Sequence, residues 1–257
     1  MTTSSFDLSN KIAVITGAGR GLGAAMAEGL AGAGAQVVCA ARTQSEIQKT
    51  ADRITANGGK AIARCFDATD RDSCQGLIDS TCEKFGRIDV MVVNHGIGTT
   101  VRAEDITEDE WRETMDINLT GCFNCAQTAG KRMIKQGHGG SIILISSNAS
   151  IVAYKGMTNY SVSKAGVDHL CRQLALEWGQ HNIRVNTINP GYMTHAMRGA
   201  EQRYHTPELD EMIAKVTPLP RRGTPDEMIG PAVFLASDAS SFVTGLIMPV
   251  DGGYTIL

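Results

Sequence analysis

The sequence has no large excess of charge of either sign. Its 24 lysines and arginines are balanced by 27 aspartates and glutamates, which leaves a formal net charge of −3. A protein so close to neutrality has no general attraction to nucleic acid or to anionic lipid. We therefore expect neither a nucleic acid nor a membrane among its partners.

Long hydrophobic runs are also missing. Residues 1–10 lack the apolar core of a secretory signal, and the run 90–93 is strand-sized, far below the roughly 20 residues that span a bilayer. The seven cysteines are odd in number and scattered, which suits reduced thiols better than a disulfide framework. Cys122 and Cys125 have redox-type spacing, but we interpret them as buried core residues of a helix. These features predict a cytoplasmic protein.

No internal repeat, low-complexity tract or interdomain linker divides the chain. Its 257 residues, 42% of them hydrophobic, can bury one sizeable core, so we expect one domain over 1–257. Strand and helix patterns alternate, which is typical of parallel strands joined by crossover helices in an α/β fold. Strands are predicted at 12–16, 36–40, 61–66, 89–94, 141–146, 183–188 and 246–250, and helices at 22–32, 45–57, 70–85, 107–136, 155–180 and 225–236.

A glycine-rich turn follows the first predicted strand. Backbone N–H groups and the helix dipole at such a turn face an anion, and missing side chains let a pyrophosphate approach closely. Leu22 occupies the last glycine place of the usual Gly-x-Gly-x-x-Gly spacing. The turn instead fits Thr-Gly-x-x-x-Gly-x-Gly, from Thr16 through Gly17 and Gly21 to Gly23.

Tyr160 and Lys164 are the most informative pair of residues. Four positions apart on a predicted helix, the phenol and the ammonium project from the same face. The ammonium favours the phenolate and lowers the pKa of the phenol from about 10. Tyr160 could then exchange a proton with a substrate oxygen near neutral pH.

Several motifs, taken in order, give a wider resemblance. From Lys11 to about Tyr254 the chain resembles the short-chain dehydrogenases/reductases, which implies a doubly wound Rossmann fold with a seven-stranded parallel sheet. It also implies a nicotinamide cofactor, hydride transfer between that cofactor and a ketone or secondary alcohol, and a homotetramer. The motifs are Thr16-Gly17 to Gly23, Asp67, Asn94-His95-Gly96, Asn118-Leu119-Thr120-Gly121, Ser147 with Tyr160 and Lys164, Pro190-Gly191, and Asp251-Gly252-Gly253.

The resemblance assigns four catalytic roles. Tyr160 is the general acid in reduction and, as the phenolate, the base in oxidation. Ser147 holds the carbonyl oxygen; Ser146 competes by adjacency, but the thirteen-residue spacing to Tyr160 favours Ser147. Lys164 lowers the pKa of the tyrosine and binds the nicotinamide ribose. Asn118 fixes a water that resupplies protons.

The same resemblance predicts the cofactor contacts, with two departures from the family pattern. His95 stands where a small residue is usual, either as a wall residue or as a polar contact. Strict counting puts His195 where the family has a threonine, with Thr194 one place early. The predicted contacts are Gly17, Gly19, Arg20, Gly21, Leu22, Gly23, Arg42, Thr43, Asp67 (to the adenine amino group), Ala68, Asn94, Gly96, Tyr160, Lys164, Pro190, Gly191, Met193 and Thr194.

The end of the second predicted strand bears on cofactor choice. An acidic residue there accepts the adenosine ribose hydroxyls and selects NAD. Here Ala41 takes the place of the acid and Arg42 follows it. Without the carboxylate a 2′-phosphate meets no repulsion, and a guanidinium can hold it by charge-assisted hydrogen bonds. We therefore predict NADP(H), with Arg20 adding positive potential.

One long irregular region, 191–220, is predicted to close over a small carbonyl or alcohol substrate as a lid. Its side chains are polar for a lid, and Asn148 and Ser150 add hydrogen-bonding capacity beside Ser147. These features favour a ketose, a polyol or a sugar acid. The predicted substrate contacts are Ser147, Ala149, Tyr192 and His195.

Two other functions stay open. A 3-oxoacyl-carrier-protein reductase shares the whole catalytic set and would need a basic docking patch, for which Lys131, Arg132 and Lys135 are candidates. A dinucleotide-sensing protein without turnover would be expected to carry a damaged set of catalytic residues. All four are present here, which argues against it.

Overall fold

The computed structural model describes residues 3–98, 100–194 and 206–256. Within them, seven strands form one sheet in the order β3-β2-β1-β4-β5-β6-β7, and every neighbouring pair is parallel. The predicted doubly wound α/β fold is confirmed, and each strand lies within two residues of its predicted bounds. The strands are β1 (Ile12–Thr16), β2 (Gln36–Ala41), β3 (Lys60–Cys65), β4 (Val90–Val93), β5 (Gly140–Ile145), β6 (Ile183–Pro190) and β7 (Ile247–Val250).

Helices pack on both faces of the sheet. The predicted helix 107–136 starts at a Thr107–Glu110 capping box but is divided by a π-helical turn, Asp116–Thr120. The helices are α1 (Gly21–Gly32), α2 (Gln44–Ala56), α3 (Arg71–Phe85), α4 (Glu108–Met115), α5 (Gly121–Gln136), α6 (Thr158–Trp178), α7 (Pro207–Val216) and α8 (Ile229–Ala236).

The alternation of side chains along each strand divides the core into two clusters. Ala13 and Ile15 of β1 pack with α1, α2 and α8 on one face, whereas Val14 packs with α3, α5 and α6 on the other. Successive residues of a strand point to opposite faces. Because both faces are covered, the strands are hydrophobic without interruption.

The position of β1 within the sheet creates a crevice. β1 pairs with β2 on one side and with β4 on the other, so the chain winds away from β1 in both directions. The loops after β1 and β4 separate at this switch point. In open α/β sheets this is where a ligand binds, beyond the carboxyl ends of the strands.

The prediction that residues 191–220 are irregular is wrong for ten of them, because Pro207–Val216 forms α7. Thr206 caps this helix by accepting a hydrogen bond from the Leu209 N–H at 3.3 Å, and proline at the first position suits a helix start. The start of α7 could therefore have been predicted from the sequence Thr206-Pro207. Residues 195–205, which include His195, lie outside the described residues.

Burial decides the interpretation of the cysteines. All seven are free, and Cys122 and Cys125 are buried core residues, as predicted. Burial raises the pKa of Cys122 to about 12, so its thiol stays protonated at neutral pH.

Within the described ranges, no helix is long and apolar enough to cross a membrane.

Candidate active site

A cavity of about 570 Å³ opens at the carboxyl ends of the strands. The loops that follow β1 to β6 each contribute to its wall. The residues singled out in widely separated parts of the sequence meet there because parallel strands end at one edge of the sheet. The cavity is the crevice that the switch point creates.

The glycine turn is built so that backbone, rather than side chains, faces the cavity. Gly17 has φ +64°, a conformation that side chains disfavour. A Cβ on Gly23 would lie 2.2 Å from the Gly17 carbonyl oxygen. The Asn94 amide also donates to that oxygen, at 3.2 Å, so Asn94 holds the turn in place. The cradle fits a pyrophosphate, since side chains would fill the space an anion needs.

The far end of the cavity carries two arginines in different situations. Arg20 pairs with the Glu46 carboxylate, which reduces its positive potential. Arg42 lines the wall beside Thr43 and makes no ion pair within the described part of the chain. Asp67 also lines this end and accepts two hydrogen bonds from Thr69 through Oδ1. Those bonds lower the pKa of Asp67.

His95 lies against the floor of the cavity. Its Nδ1 is 2.9 Å from the hydroxyl oxygen of Thr16, and its ring packs edge-on against Phe66. The residue keeps some exposure to the cavity, but protein surrounds the ring. The pKa of His95 is lowered to about 3. Burial of the ring is the largest cause, and the positive charge of Lys164 is the second. His95 is therefore a neutral residue packed between loops, which fits the wall interpretation and leaves a polar contact open.

Tyr160 and Lys164 lie on the buried face of α6. The Lys164 Nζ donates to the Ile145 carbonyl oxygen at 2.8 Å and lies 5.8 Å from the centroid of the Tyr160 ring. Only 4% of Lys164 is exposed, and this burial lowers its pKa. Both residues line the cavity wall.

The two adjacent serines differ in their hydrogen bonds. The Ser146 hydroxyl donates to the Lys164 carbonyl oxygen at 3.1 Å, so it ties β5 to α6. The Ser147 hydroxyl oxygen accepts from the Ala149 N–H at 3.1 Å and lies 3.5 Å from Asn148 Oδ1. A hydrogen bond of 3.5 Å from the Ser147 hydroxyl to Asn148 would be weak. The hydroxyl can therefore rotate and donate its proton to another acceptor in the cavity. This difference favours Ser147 as the residue that can donate to a substrate.

Asn118 lies in the π-helical turn, beneath the cavity wall. Its Oδ1 accepts from the Ile97 N–H at 2.8 Å, and its Nδ2 donates to the Ile97 carbonyl oxygen and to Ser163. A Cβ on Gly96 would lie 3.2 Å from Asn118 Oδ1 and 3.4 Å from Lys164 Nζ. The Asn118 side chain therefore fixes the loop after β4 against the lysine.

The loop after β6 forms the opposite wall. Pro190, Gly191, Tyr192 and Met193 line the cavity. The Thr194 N–H donates to the Gly223 carbonyl oxygen at 2.8 Å, which ties this loop to the segment after α7. Leu209 of α7 also reaches the wall, so α7 lies beside the cavity where a lid was predicted.

Three tyrosines from separate parts of the chain meet near Ser147. The Tyr154 and Tyr254 rings stack with centroids 5.7 Å apart, and Tyr192 packs edge-on against both. The Asn148 amide donates to the Tyr154 hydroxyl at 2.7 Å. Burial raises the pKa of Tyr192 to about 12, so this hydroxyl stays protonated. The result is an aromatic wall that carries hydroxyl groups.

Most of the predicted site residues line the cavity, and a few lie behind its wall. Gly21 and Gly23 shape the glycine turn, and Asn118 supports the wall from beneath. Ser150 was expected to add hydrogen-bonding capacity beside Ser147, and its hydroxyl contacts the Asp168 carboxylate at 2.5 Å. The predicted residues on the wall are Gly17, Gly19, Arg20, Leu22, Arg42, Thr43, Asp67, Ala68, Asn94, Gly96, Ser147, Ala149, Tyr160, Lys164, Pro190, Gly191, Tyr192 and Met193.

Other wall residues were not predicted from the sequence. Glu46 follows Arg42 by four residues, and Tyr154 and Lys155 lie between Ser147 and Tyr160, so proximity in sequence was an available signal. Arg222 reaches the wall from beyond α7, and its Nε donates to Asp210 at 2.6 Å. Nothing in the sequence pattern indicated that residue. The candidate docking residues Lys131, Arg132 and Lys135 lie on α5, away from the cavity wall.

The family follows from a match over almost the whole chain. Residues 17–255 match the family model described as enoyl-(acyl carrier protein) reductase. The chain belongs to the short-chain dehydrogenase/reductase family. Members of this family are oxidoreductases that use a nicotinamide cofactor, and the glycine cradle and cavity described above fit such a group.

Similar members of the family act on sugars and polyols. The chain is 38% identical to 2-dehydro-3-deoxy-D-gluconate 5-dehydrogenase of Dickeya dadantii (strain 3937), with 99% of each chain covered. It is 36% identical to D-threitol dehydrogenase of Mycolicibacterium smegmatis, over 98% of this chain and 95% of that one. Its fold matches a gluconate 5-dehydrogenase from Burkholderia cenocepacia J2315 in complex with NADP and tartrate, with a TM-score of 0.93, 34% identity, and 99% and 98% of the two chains covered.

Proposed function

We propose that this short-chain dehydrogenase/reductase is an NADP(H)-dependent enzyme that interconverts a ketone and a secondary alcohol on a ketose, polyol or sugar acid. One observation carries the proposal: Ser147, Tyr160 and Lys164 line the same cavity as the glycine turn. A hydride donor held by the turn and a carbonyl held by Ser147 would then share one enclosed space.

A nicotinamide dinucleotide held by the glycine turn would supply, when bound, the hydride for the carbonyl carbon. The Ser147 hydroxyl donates to the carbonyl oxygen and stabilises the negative charge that develops there. The Tyr160 phenol gives its proton to that oxygen, and oxidation reverses the transfer. The Lys164 ammonium, 5.8 Å from the ring centroid, stabilises the phenolate that remains.

The phenolate must regain a proton from solvent after each reduction. The side-chain groups of Asn118 are engaged with Ile97 and Ser163. A water that links Lys164 to solvent would therefore bind the Asn118 backbone carbonyl rather than its side chain. The π-helical turn supports this role, since such turns alter the backbone hydrogen bonding of a helix and are frequent at functional sites.

The preference for NADP(H) rests on Arg42. Ala41 presents no carboxylate to the ribose, and Arg42 lines the cavity without an ion pair among the described residues. Its guanidinium is therefore available to a 2′-phosphate. The Glu46 carboxylate works in the opposite direction through its pair with Arg20, so we assign the phosphate to Arg42 alone.

The substrate class rests on the wall near Ser147. Asn148, Tyr154 and Tyr192 line it and bring an amide and two phenol hydroxyls to the wall, where the amide donates to the Tyr154 hydroxyl. Hydroxyl and amide groups suit a substrate with several hydroxyls, which would leave them paired. Relatives named for gluconate derivatives and threitol support the same class.

We also propose a cytoplasmic homotetramer. The tetramer rests on family resemblance. The cytoplasmic location rests on the seven scattered free cysteines.

A panel of carbonyl compounds tests the function. NADPH oxidation should be faster with ketoses and keto sugar acids than with aryl ketones or an acetoacetyl thioester, and kcat/KM should be higher with NADPH than with NADH. In Y160F we expect kcat to fall at least about a hundredfold, because the proton donor is lost. NADPH binding, followed by fluorescence, should stay within about threefold. Near-normal turnover by Y160F would remove Tyr160 from its role, and a preference for the thioester would favour the carrier-protein reductase.

A further inference from the structure

Asp168 is a buried carboxylate that the proposed mechanism does not use. It lies on α6, four residues after Lys164, and only 7% of it is exposed. Its Oδ1 and Oδ2 accept from the Asn189 amide at 3.1 and 2.9 Å, and Oδ2 also accepts from the Ser150 hydroxyl at 2.5 Å. A buried carboxylate is costly unless it is hydrogen-bonded, and this one has a partner for each oxygen.

The partners of Asp168 hold the backbone of the catalytic serine. The Asn189 amide donates to the Ser147 carbonyl oxygen at 3.1 Å, and the Ser150 hydroxyl lies 2.6 Å from the same oxygen. A hydroxyl has one proton, and the carboxylate is the stronger acceptor, so Asn189 is left to hold the carbonyl. The Asn189 side-chain oxygen is itself fixed by the Thr187 hydroxyl at 2.7 Å. Asp168 therefore locks the ends of β5 and β6 to α6.

Asp168 also provides charge for the catalytic lysine. Burial disfavours the Lys164 ammonium, and Cys122 and Asp168 oppose that effect. Because the pKa of Cys122 is raised to about 12, its thiol carries no charge at neutral pH. Among the described residues, Asp168 is then the negative group that acts on Lys164.

Two further titratable groups near this pair are neutral near pH 7. His95, after β4, has a pKa lowered to about 3. Cys171, one turn further along α6, has a pKa raised to about 12. Tyr160 lies one turn before Lys164 on the same helix, toward the cavity. The balance of charge beside the tyrosine thus depends on one ammonium and one carboxylate, both on α6.

We propose that Asp168 is a positioning residue for the reaction: through Asn189 and Ser150 it fixes the Ser147 backbone, and its charge stabilises the Lys164 ammonium. This inference rests on the proposed function. The sequence places Tyr160, Lys164 and Asp168 at successive four-residue steps, on one face of the helix.

The isosteric variant D168N tests the charge. Removing a negative charge makes neighbouring protons easier to lose, so the alkaline limb of the pH profile for ketone reduction should move about half to one unit lower. The affinity for NADPH should also decline at a lower pH than in the wild type. That second measurement uses fluorescence and no substrate, so it stays informative even if no compound in the panel is turned over.

D168A tests the positioning. It removes the acceptors for Asn189 and Ser150, so kcat should fall at least about tenfold while NADPH binding at pH 7 stays within about threefold. D168N, which keeps one acceptor oxygen, should recover most of that loss below pH 7. A purely structural role would instead lower the thermal midpoint with no change in the pH profile.

D89N is the matched control. Asp89 is also buried, at 5% exposure, accepts the Ile12 N–H at 2.8 Å and pairs with Arg87, but it lies at the amino ends of the strands, away from the cavity. The variant should lose stability and keep the wild-type pH profile. Superimposable profiles for D168N and the wild type would overturn the inference, as would an equal shift in D89N. Failure of the whole substrate panel with the wild type would instead count against the proposed function.

Discussion

At the scale of single residues, the end of β2 shows how one missing carboxylate can set a preference for NADP(H) over NAD(H). Ala41 leaves the cavity without the acid that would bind ribose hydroxyls, and Arg42 follows it. The Arg20–Glu46 pair at the same end shows the limit of counting charges. An arginine matched by a carboxylate contributes much less to a phosphate site than an unpaired one.

We expect A41D to shift the cofactor preference toward NADH. The new carboxylate would repel the 2′-phosphate and accept the ribose hydroxyls, so NADPH should bind at least about tenfold more weakly. Dissociation constants for both cofactors, from fluorescence titration, measure the change. The reciprocal variant E46Q removes a carboxylate from the same end and should strengthen NADPH binding. An unchanged ratio in A41D would argue against a phosphate site at Arg42.

At the scale of secondary structure, the glycine turn joins β1 to α1 by packing as well as by conformation. Gly17 needs its positive φ, whereas Gly23 needs the absence of a Cβ. The π-helical turn between α4 and α5 is a second local feature with a consequence, because it holds Asn118 against the loop after β4. The glycine turn places backbone, rather than side chains, at the cavity, and the π-helical turn supports the cavity wall through the Asn118 side chain.

G23A should damage the turn and spare the rest of the fold. The added methyl would overlap the Gly17 carbonyl oxygen, 2.2 Å away, at a cost of about 1–3 kcal/mol. NADPH binding should weaken at least about tenfold. Gly32 in the same helix has open space around its Cβ position, so G32A should be neutral or stabilising by up to about 1 kcal/mol. Urea unfolding and fluorescence titration measure both, and tight NADPH binding by G23A would contradict the cradle.

At the scale of the whole molecule, the sheet converts distant sequence positions into one site. The loops after β1 to β6 meet only because parallel strands end at the same edge. The enclosed histidine at this junction, His95, packs loops from three strands together. Its protonation therefore bears on the stability of the entire fold rather than on one element.

Stability should fall in mild acid because of His95. Its pKa is about 3 in the folded protein and about 6.5 when unfolded. Between these values the unfolded state binds a proton that the folded state does not, so stability is lost as the pH falls below about 6.5. The loss from this residue between pH 7 and pH 5 should be up to about 2 kcal/mol.

Urea unfolding of H95A at the two pH values measures this contribution. The variant should show the smaller difference between pH 7 and pH 5, whatever its absolute stability. H138A, at an exposed histidine, should keep the wild-type difference. Equal pH dependence in H95A and the wild type would show that the fold does not hold this histidine in the neutral form.

Patterns along the chain were enough to predict the strands, most helices and many of the residues that meet at the cavity. Short apolar runs, the glycine spacing and the four-residue step from Tyr160 to Lys164 all involve neighbours in sequence, so they are visible before folding. The helix α7, which was not predicted, also had a local sequence signal, because Thr206 and Pro207 are typical of a helix start.

The partners of these residues came from the folded arrangement alone. Folding paired Arg20 with Glu46, gathered Tyr154, Tyr192 and Tyr254 into one wall, and brought the Ser150 hydroxyl to Asp168. Such contacts join residues far apart in sequence, and they depend on strand order and helix packing. The geometry of the sheet sets those distances, because it brings loops from separate strands to one edge, which no spacing along the chain can do.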